Sequence, residues 1–427
     1  MLTLLEKFIQ KIEEYNLIEE NDRILVAVSG GVDSSVLLNL LAKIREYFKF
    51  SIFCATVDHG IRKESKEEVK FVYNMARSLN VECFIKEFDV PLYAKENKLS
   101  IEEAARKLRY KFLNEIAKKI NANKVATAHN LNDLAETVLF RLARGTGPFG
   151  IYGMKPRNGN IIRPLLFFER KEIEQFATEN KIPFVVDKTN FDTKYTRNFI
   201  RHKIIPIFKE INPLFEQAVL RFVENVWELD SFVEEKLNVK TFEFEGRIFF
   251  KVPKDEYILV EFIRRKTMEH FGRAPDKEKL DRLKKNLYKT SFKISFWGDY
   301  GVEISYGYGV LGKFIEHMNY ECSMDCQNNV NFGPFVVKFG NNGIIFKKMN
   351  LTIRNYRFGD KTKGGKKLKE IFVEKKVPSF IRRIIPIFVD EDGYVFYIPN
   401  VFLDRDYLSK EENGISIKVE MKGGFWF

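Results

Sequence analysis

Six consecutive residues, Ser29-Gly30-Gly31-Val32-Asp33-Ser34, bring together two hydroxyls, a carboxylate and two glycines. The glycines allow a tight turn that aims backbone N–H groups at an anion, and Ser29 and Ser34 add hydroxyl donors for phosphate oxygens. Asp33 is a carboxylate suited to Mg²⁺. The lysine that a GxxxxGK[ST] loop needs just past the turn is not there. A second group lies in Ala128-His129-Asn130-Leu131-Asn132-Asp133-Leu134-Ala135-Glu136-Thr137. Spacings of four and three put His129, Asp133 and Glu136 on one helical face. A carboxylate pair there can hold an ammonium group or a metal, or can cap the helix, because acids are favoured in a first turn. Arg106 and Arg109 are three apart, and Arg197 and Arg201 one turn apart. Arginines so spaced suit bidentate phosphate contact, and solvated helix faces are the plainer reading.

A third stretch runs from Arg354 to Arg383. It carries Arg354, Arg357, Lys361, Lys363, Lys366, Lys367, Lys369, Lys375, Lys376, Arg382 and Arg383 against Asp360, Glu370 and Glu374. Tyr356, Phe358, Phe372 and Phe380 are interleaved. Cations for phosphates and rings for unstacked bases are the two parts of RNA recognition. Gly145-Thr146-Gly147-Pro148-Phe149-Gly150 spells GxGxxG but follows a helix rather than a strand, so a nicotinamide site fails its context. The five histidines form no HExxH pattern, which argues against a zinc hydrolase.

The elements that must position these groups alternate through the first half. Ile24 to Val28 reads as a buried strand and Val36 to Ile44 as a helix; Phe50 to Val57, Val81 to Phe88 and Val125 to Ala128 read as strands. Ser65 to Leu79, Ser100 to Ile120, Leu131 to Leu142 and Lys171 to Asn180 read as helices, Ser100 and Glu103 forming a capping box. Ile161 to Leu166 reads as a further strand. The alternation predicts an α/β domain with a parallel sheet flanked by helices, with ligands beyond the strands' carboxyl ends. From Asn212 the pattern changes to a long helix over Leu214 to Leu237, a hairpin around Glu245-Gly246, and helices over Tyr257 to His270 and Lys277 to Tyr288. Beyond Asn319 it is strand-rich, with one short helix over Lys367 to Glu374. Three domains are expected: residues 1–211, a small α+β domain at 212–318, and a basic β-rich domain at 319–427.

At 427 residues, 45% of them hydrophobic, the chain supports several cores, and it shows no apolar run of membrane length. The first residues lack a signal-peptide design, which predicts a cytoplasmic protein. Four cysteines without a CxxC pair fit a reducing compartment; Cys322 and Cys326 stand four apart without histidine companions. A net charge of +12 favours a polyanionic partner.

The Ser29–Ser34 loop matches the N-type ATP pyrophosphatases of the PP-loop superfamily, which cleave ATP to AMP and pyrophosphate. Over nearly its whole length the chain further resembles the tRNA(Ile)-lysidine synthetases. The match runs through Asp58-His59-Gly60-Ile61-Arg62, Ala105 to Tyr110, Ala128 to Thr137 and Arg144 to Gly150. It continues through Arg163-Pro164-Leu165-Leu166, Asp187-Lys188-Thr189-Asn190, Tyr195 to Arg201, Arg357-Phe358-Gly359-Asp360 and Gly364 to Phe372. The resemblance implies an adenine-nucleotide alpha hydrolase-like fold and adenylation of the wobble cytidine of a tRNA(Ile) with a CAU anticodon. Free L-lysine then attacks C2, giving lysidine with release of AMP and pyrophosphate.

By the same resemblance ATP lies on Ser29, Gly30, Gly31, Val32, Asp33 and Ser34, with Asp33 handling Mg²⁺. Arg109, Asp133 and Glu136 line a lysine pocket, and Asp33, His129, Asp133 and Arg197 serve catalysis. Arg201, Arg357, Lys366, Lys367, Lys369 and Arg382 are the expected tRNA contacts, and a homodimer is left open. Two residues depart from the family pattern: Asn132 stands where a second acid is common, and Leu134 where a glutamine is usual. A tRNA thiolation enzyme of the same superfamily is the alternative, although its chemistry usually resembles paired cysteines near the loop.

Overall fold

The computed structural model describes residues 2–60, 65–185, 196–316, 321–323, 329–410 and 414–422. The chain divides into two compact units, Met1–Ser231 and Phe232–Phe427.

The first unit opens with α1 (Leu4–Glu14), β1 (Arg23–Ala27), α2 (Val32–Phe48), β2 (Ser51–Asp58), α3 (Ser65–Ser78), β3 (Glu82–Glu87) and α4 (Val90–Asn97). It goes on through α5 (Ile101–Lys119), β4 (Lys124–Ala126), α6 (Leu131–Arg144), α7 (Pro148–Ile151), β5 (Arg157–Asn158), β6 (Ile161–Ile162) and α8 (Arg170–Glu179). After α9 (Thr196–Phe199) a π-helical turn over Ile200–Ile204 leads into α10 (Ile205–Ile211), and α11 (Phe215–Lys236) follows. The strands form one sheet in the order β3-β2-β1-β4-β6-β5, parallel except for the short β5–β6 pair. Ile24, Leu25 and Val26 are fully buried because helices cover both faces of β1, which is why this strand reads as an unbroken apolar run. The chain leaves β1 for β2 on one side and later returns to β4 on the other, so the crevice beyond the carboxyl ends of β1 and β4 is the topological switch point. The Ser29–Ser34 loop and the His129–Glu136 segment follow those two strands.

The second unit holds three antiparallel sheets. One is β7 (Thr241–Phe244), β8 (Arg247–Lys251), β9 (Ser291–Trp297), β10 (Tyr300–Ser305) and β11 (Tyr308–Lys313), in the order β7-β8-β11-β10-β9. Its core includes Leu259, Phe262 and Ile263 of α12 (Glu256–Phe271) and Leu283 of α13 (Lys277–Asn286). The other sheets contain β12 (Glu321–Ser323), β13 (Val330–Phe332), β14 (Phe335–Phe346), β15 (Thr352–Arg354), β16 (Ile387–Val389), β17 (Val395–Ile398), β18 (Phe402–Leu403) and β19 (Ile415–Met421). Helices α14 (Leu368–Glu374) and α15 (Ser379–Arg382) lie between β15 and β16 in the chain. Among the described residues no helix is long and apolar enough to cross a membrane.

Two local expectations change. The strand expected at Ile161 to Leu166 is confined to Ile161–Ile162, because Leu165 and Leu166 bury their side chains in a turn instead. Residues 291–313 form a three-stranded meander that the pattern of residue types does not announce. Asp187 to Asn190, Ile61-Arg62, Tyr195, His317 and Cys326 lie outside the described residues.

Candidate active site

The loop after β1 is held from within. Ser34 Oγ donates to the Gly31 carbonyl at 3.0 Å and accepts from the Ser29 N–H at 3.2 Å; Ser35 Oγ donates to the Gly30 carbonyl. Gly30 sits at φ +87°, a left-handed conformation that a side chain would strain. Gly31 is the N-cap of α2 and offers no side-chain cap, so the first N–H groups of a 17-residue helix are left for an anion. The hydroxyls of Ser29 and Ser34 lie 3.2 Å apart at this helix end.

Asp33, in the first turn of α2, accepts a 2.9 Å hydrogen bond from Asn130 Nδ2. That contact ties the loop after β1 to the segment after β4 across the switch point. Burial pushes the Asp33 carboxyl above the usual range, with the Asn130 hydrogen bond working against it. A single buried carboxylate whose charge is penalised in this way is a group that a cation relieves, and among the described residues no cluster of three or more His, Cys, Asp or Glu ligands joins it.

Asn130 is the N-cap of α6 and forms a reciprocal capping box with Asp133. Asp133 therefore both caps and faces the site: Oδ2 accepts from the Asn130 N–H at 3.1 Å, while Oδ1 lies 3.4 Å from Arg201 Nη2. One turn on, Glu136 is 2% exposed and receives Arg201 through Nε at 2.5 Å and Nη2 at 3.1 Å. Burial raises the Glu136 carboxyl, and the Arg201 hydrogen bond opposes the rise. Arg201, expected on an RNA-facing surface, is thus engaged with the acid pair. Arg201 rides on the π-helical turn over Ile200–Ile204, whereas Arg197 belongs to α9 before it. Arg197 keeps a side chain that is 54% exposed and lies 4.0 Å from Glu102.

His129 precedes the N-cap rather than riding on α6, and its Nδ1 shares a 2.9 Å hydrogen bond with Thr127 Oγ1. Burial depresses its pKa to about 4, with the Asp133 charge opposing, so the ring is neutral near pH 7. A cavity of about 210 Å³ opens between the Ser29–Ser34 loop and His129; Asp133, Glu136 and Arg201 are not among its lining residues. Ala27, Val28, Ala55, Val57 and Leu113 give it an apolar wall, and Ser29, Gly31, Asp33, Ser34, His59, Arg109, Tyr110, Thr127 and His129 a polar one. Arg109 is held below its ordinary pKa by burial. His59, Tyr110 and Thr127 join the site without any spacing signal in the sequence that marks them. His59 Nδ1 is buried without a hydrogen-bond partner among the described residues.

The two departures are structural. Asn132 Nδ2 donates to Glu216 at 3.0 Å and its Oδ1 accepts from the Arg170 N–H at 2.8 Å, so it binds α6 to α8 and α11. Leu134 is fully buried in the core of the unit. Cys54 and Cys83 are register neighbours on β2 and β3, and among the described residues no third ligand joins them.

In the second unit, Lys367 and Lys369 are exposed, while Arg357 pairs with Glu321 and Lys366 with Glu374. Arg382 is half-buried, donating Nε to the Val377 carbonyl at 2.9 Å with its guanidinium 5.8 Å from the Phe372 ring. Phe372 and Phe380 are fully buried and Tyr356 packs edge-on against Phe372, so three of the four interleaved rings serve the core.

A glycine-rich loop at the switch point of a parallel sheet, with no P-loop lysine, defines a PP-loop nucleotide enzyme, and the PP-loop domain family matches residues 3–208. A second family, the TilS substrate C-terminal domain, matches residues 351–419. The chain is 98% identical over 427 residues, all of both chains, to a tRNA(Ile)-lysidine synthase of Thermosipho africanus (strain TCF52B). It is 40% identical to that of Thermotoga sp. (strain RQ2), over 91% of this chain and 95% of the relative. The chain belongs to the tRNA(Ile)-lysidine synthase family.

Proposed function

We propose that this chain adenylates the C2 oxygen of the wobble cytidine in a CAU-anticodon tRNA(Ile). The ε-amine of free L-lysine then attacks C2, so that a C–N bond forms, the C2–O bond breaks and the oxygen leaves as part of AMP. AMP and pyrophosphate leave, and the reaction is cytoplasmic, where its tRNA is found. The observation that supports this reading best is the Asp33–Asn130 hydrogen bond. It joins a phosphate loop to a segment carrying an acid pair one helical turn away.

The open end of α2, with Ser29 and Ser34, receives the ATP phosphates, while Ala27, Ala55, Val57 and Leu113 offer the purine an apolar slot. Mg²⁺ on Asp33 would offset the charge of the departing pyrophosphate. Lysine poses the harder problem, because its amine is protonated at neutral pH, losing its proton in water only near a pH of about 10.4. The site must hold the cation and then remove a proton. Asp133 and Glu136 do the first, and Arg109 lines the cavity that holds the nucleotide loop. For the second, a neutral His129 with a pKa of about 4 is a weak acceptor. Glu136, its carboxyl raised by burial, is the better one. Arg201 occupies the same carboxylates, so an incoming ammonium competes with its guanidinium. Arg197 and His129 lie near the reacting groups, and the exposed cations of residues 357–369 take the tRNA backbone.

Incubating ATP and the tRNA transcript with lysine, or with a sulfur donor, and following AMP tests the assignment. AMP that depends on both tRNA and lysine supports lysidine formation; AMP that depends on sulfur instead would favour thiolation.

A further inference from the structure

We propose that Phe358 is a stacking platform for an unpaired or terminal nucleobase of the tRNA substrate, an inference that rests on the functional reading above. The Phe358 side chain is 93% exposed, more than any other large hydrophobic side chain among the described residues. An isolated exposed ring on a floppy loop would mean little, but this ring sits on a braced turn.

The brace is Asp360. Its carboxylate takes a bidentate pair from the buried Arg354, at 2.9 and 2.7 Å, and its Oδ2 also accepts the Arg357 N–H at 2.7 Å. The Asp360 N–H returns to the Arg357 carbonyl, and the Asp360 carbonyl accepts from the Leu368 N–H at the start of α14. Gly359, at φ +97°, makes the turn that leaves Phe358 at its tip. The four residues are therefore tied at both ends to the core of the unit, and presenting the ring costs little further ordering when a partner arrives.

The surroundings choose the partner. Arg357, Lys361, Lys363, Lys366 and Lys367 are all exposed on the same loop, whose ends meet at a Lys361–Lys367 bridge. Between Arg357 and Lys369 only Asp360 is acidic, and Arg354 pairs with it; Glu321 pairs with Arg357 and Glu374 with Lys366, so Lys361, Lys363 and Lys367 carry the charge of the collar. A greasy protein partner would have to desolvate this cationic collar, whereas a nucleic acid brings the phosphates that satisfy it. Within a duplex both faces of a base are stacked, so the ring meets a base at a helix end or in a single-stranded segment.

The test compares tRNA transcript affinity for full-length wild type, F358A, F358L and F358W across a range of salt concentrations. The expected result is that F358A binds about 5- to 150-fold more weakly, the range of base–aromatic stacking, with an unchanged salt slope. F358W restores affinity, F358L does not, and ATP binding is the same in all four. F358A binding as tightly as wild type overturns the proposal alone, and full restoration by F358L replaces stacking with an apolar contact and overturns it too. Wild type that fails to bind the transcript overturns the functional reading beneath it.

Discussion

Arg201 reaches Glu136 from a π-helical turn, with Nε 2.5 Å from Oε1 and Nη2 3.1 Å from Oε2. The most deeply buried acid of the site is thus already matched by a guanidinium, and its charge is tolerated only because of that match. R201M leaves Glu136 charged and unpaired. It should lose about 2–3 kcal/mol of stability, since the Arg201 side chain is one-quarter exposed and the full cost of breaking a buried pair is discounted accordingly. The double variant R201M/E136Q should recover most of the loss. Urea unfolding of the four proteins in the cycle measures it, and equal stabilities for R201M and wild type would dissolve the coupling.

The acid pair should govern the second half-reaction rather than the first. D133N and E136Q are expected to raise the lysine KM about 10- to 100-fold, the range for losing one charge-assisted hydrogen bond, or to stop transfer. Pyrophosphate release from ATP and tRNA should continue. Loss of adenylation in E136Q would instead place Glu136 with the nucleotide.

Gly30 is the loop residue least able to accept a side chain. G30A forces alanine into φ +87°, with about 1–2 kcal/mol of strain and a Cβ 3.4 Å from Val72. A several-fold rise in the ATP KM is expected, with the lysine KM unchanged. Steady-state kinetics in each substrate separates the two.

His129 should make stability depend on acid. Its pKa of about 4 lies below the ordinary histidine value of 6.5, so between those values the unfolded chain binds the proton that the folded chain refuses. Stability from this group is therefore complete above pH 6.5 and lost as pH falls towards 4, by as much as about 3 kcal/mol. The difference between wild type and H129Q in urea midpoint, followed from about pH 7 to 4, should shrink or reverse accordingly.

The basic loop should bind through counterion release. K366Q/K367Q/K369Q is expected to lower the slope of log affinity against log salt by up to about 2–3, since each phosphate contact contributes about 0.7–0.9. Lys366 already pairs with Glu374 and contributes least.

Much of the site could be read from residue order because it depends on local rules. The apolar run Ile24 to Val28 and the two glycines fix a strand and turn, and Ser100 with Glu103 marks the start of α5 as it stands. Asp133 is legible as either a cap or a ligand; the structure makes it both, through different oxygens. Three features depend on tertiary packing instead. The π-helical turn that carries Arg201 has no signature in Phe199-Ile200-Arg201. The same composition of cations and rings in residues 354–383 hides that Phe372 and Phe380 belong to a core and Phe358 does not. The meander over residues 291–313 completes a sheet with β7 and β8, and its second and third strands, Tyr300–Ser305 and Tyr308–Lys313, are buried at most of their residues and so carry no alternation.

Above all, the loop after β1 should split ATP between its α and β phosphorus atoms for the benefit of a tRNA base that lysine then captures. ATP labelled at the α-phosphate, supplied with a CAU-anticodon tRNA(Ile) transcript and free lysine, tests this in one tube. The label should appear as AMP, with one lysine joined to the tRNA for each AMP formed. Label in ADP, or AMP formed equally well without the transcript, would contradict it.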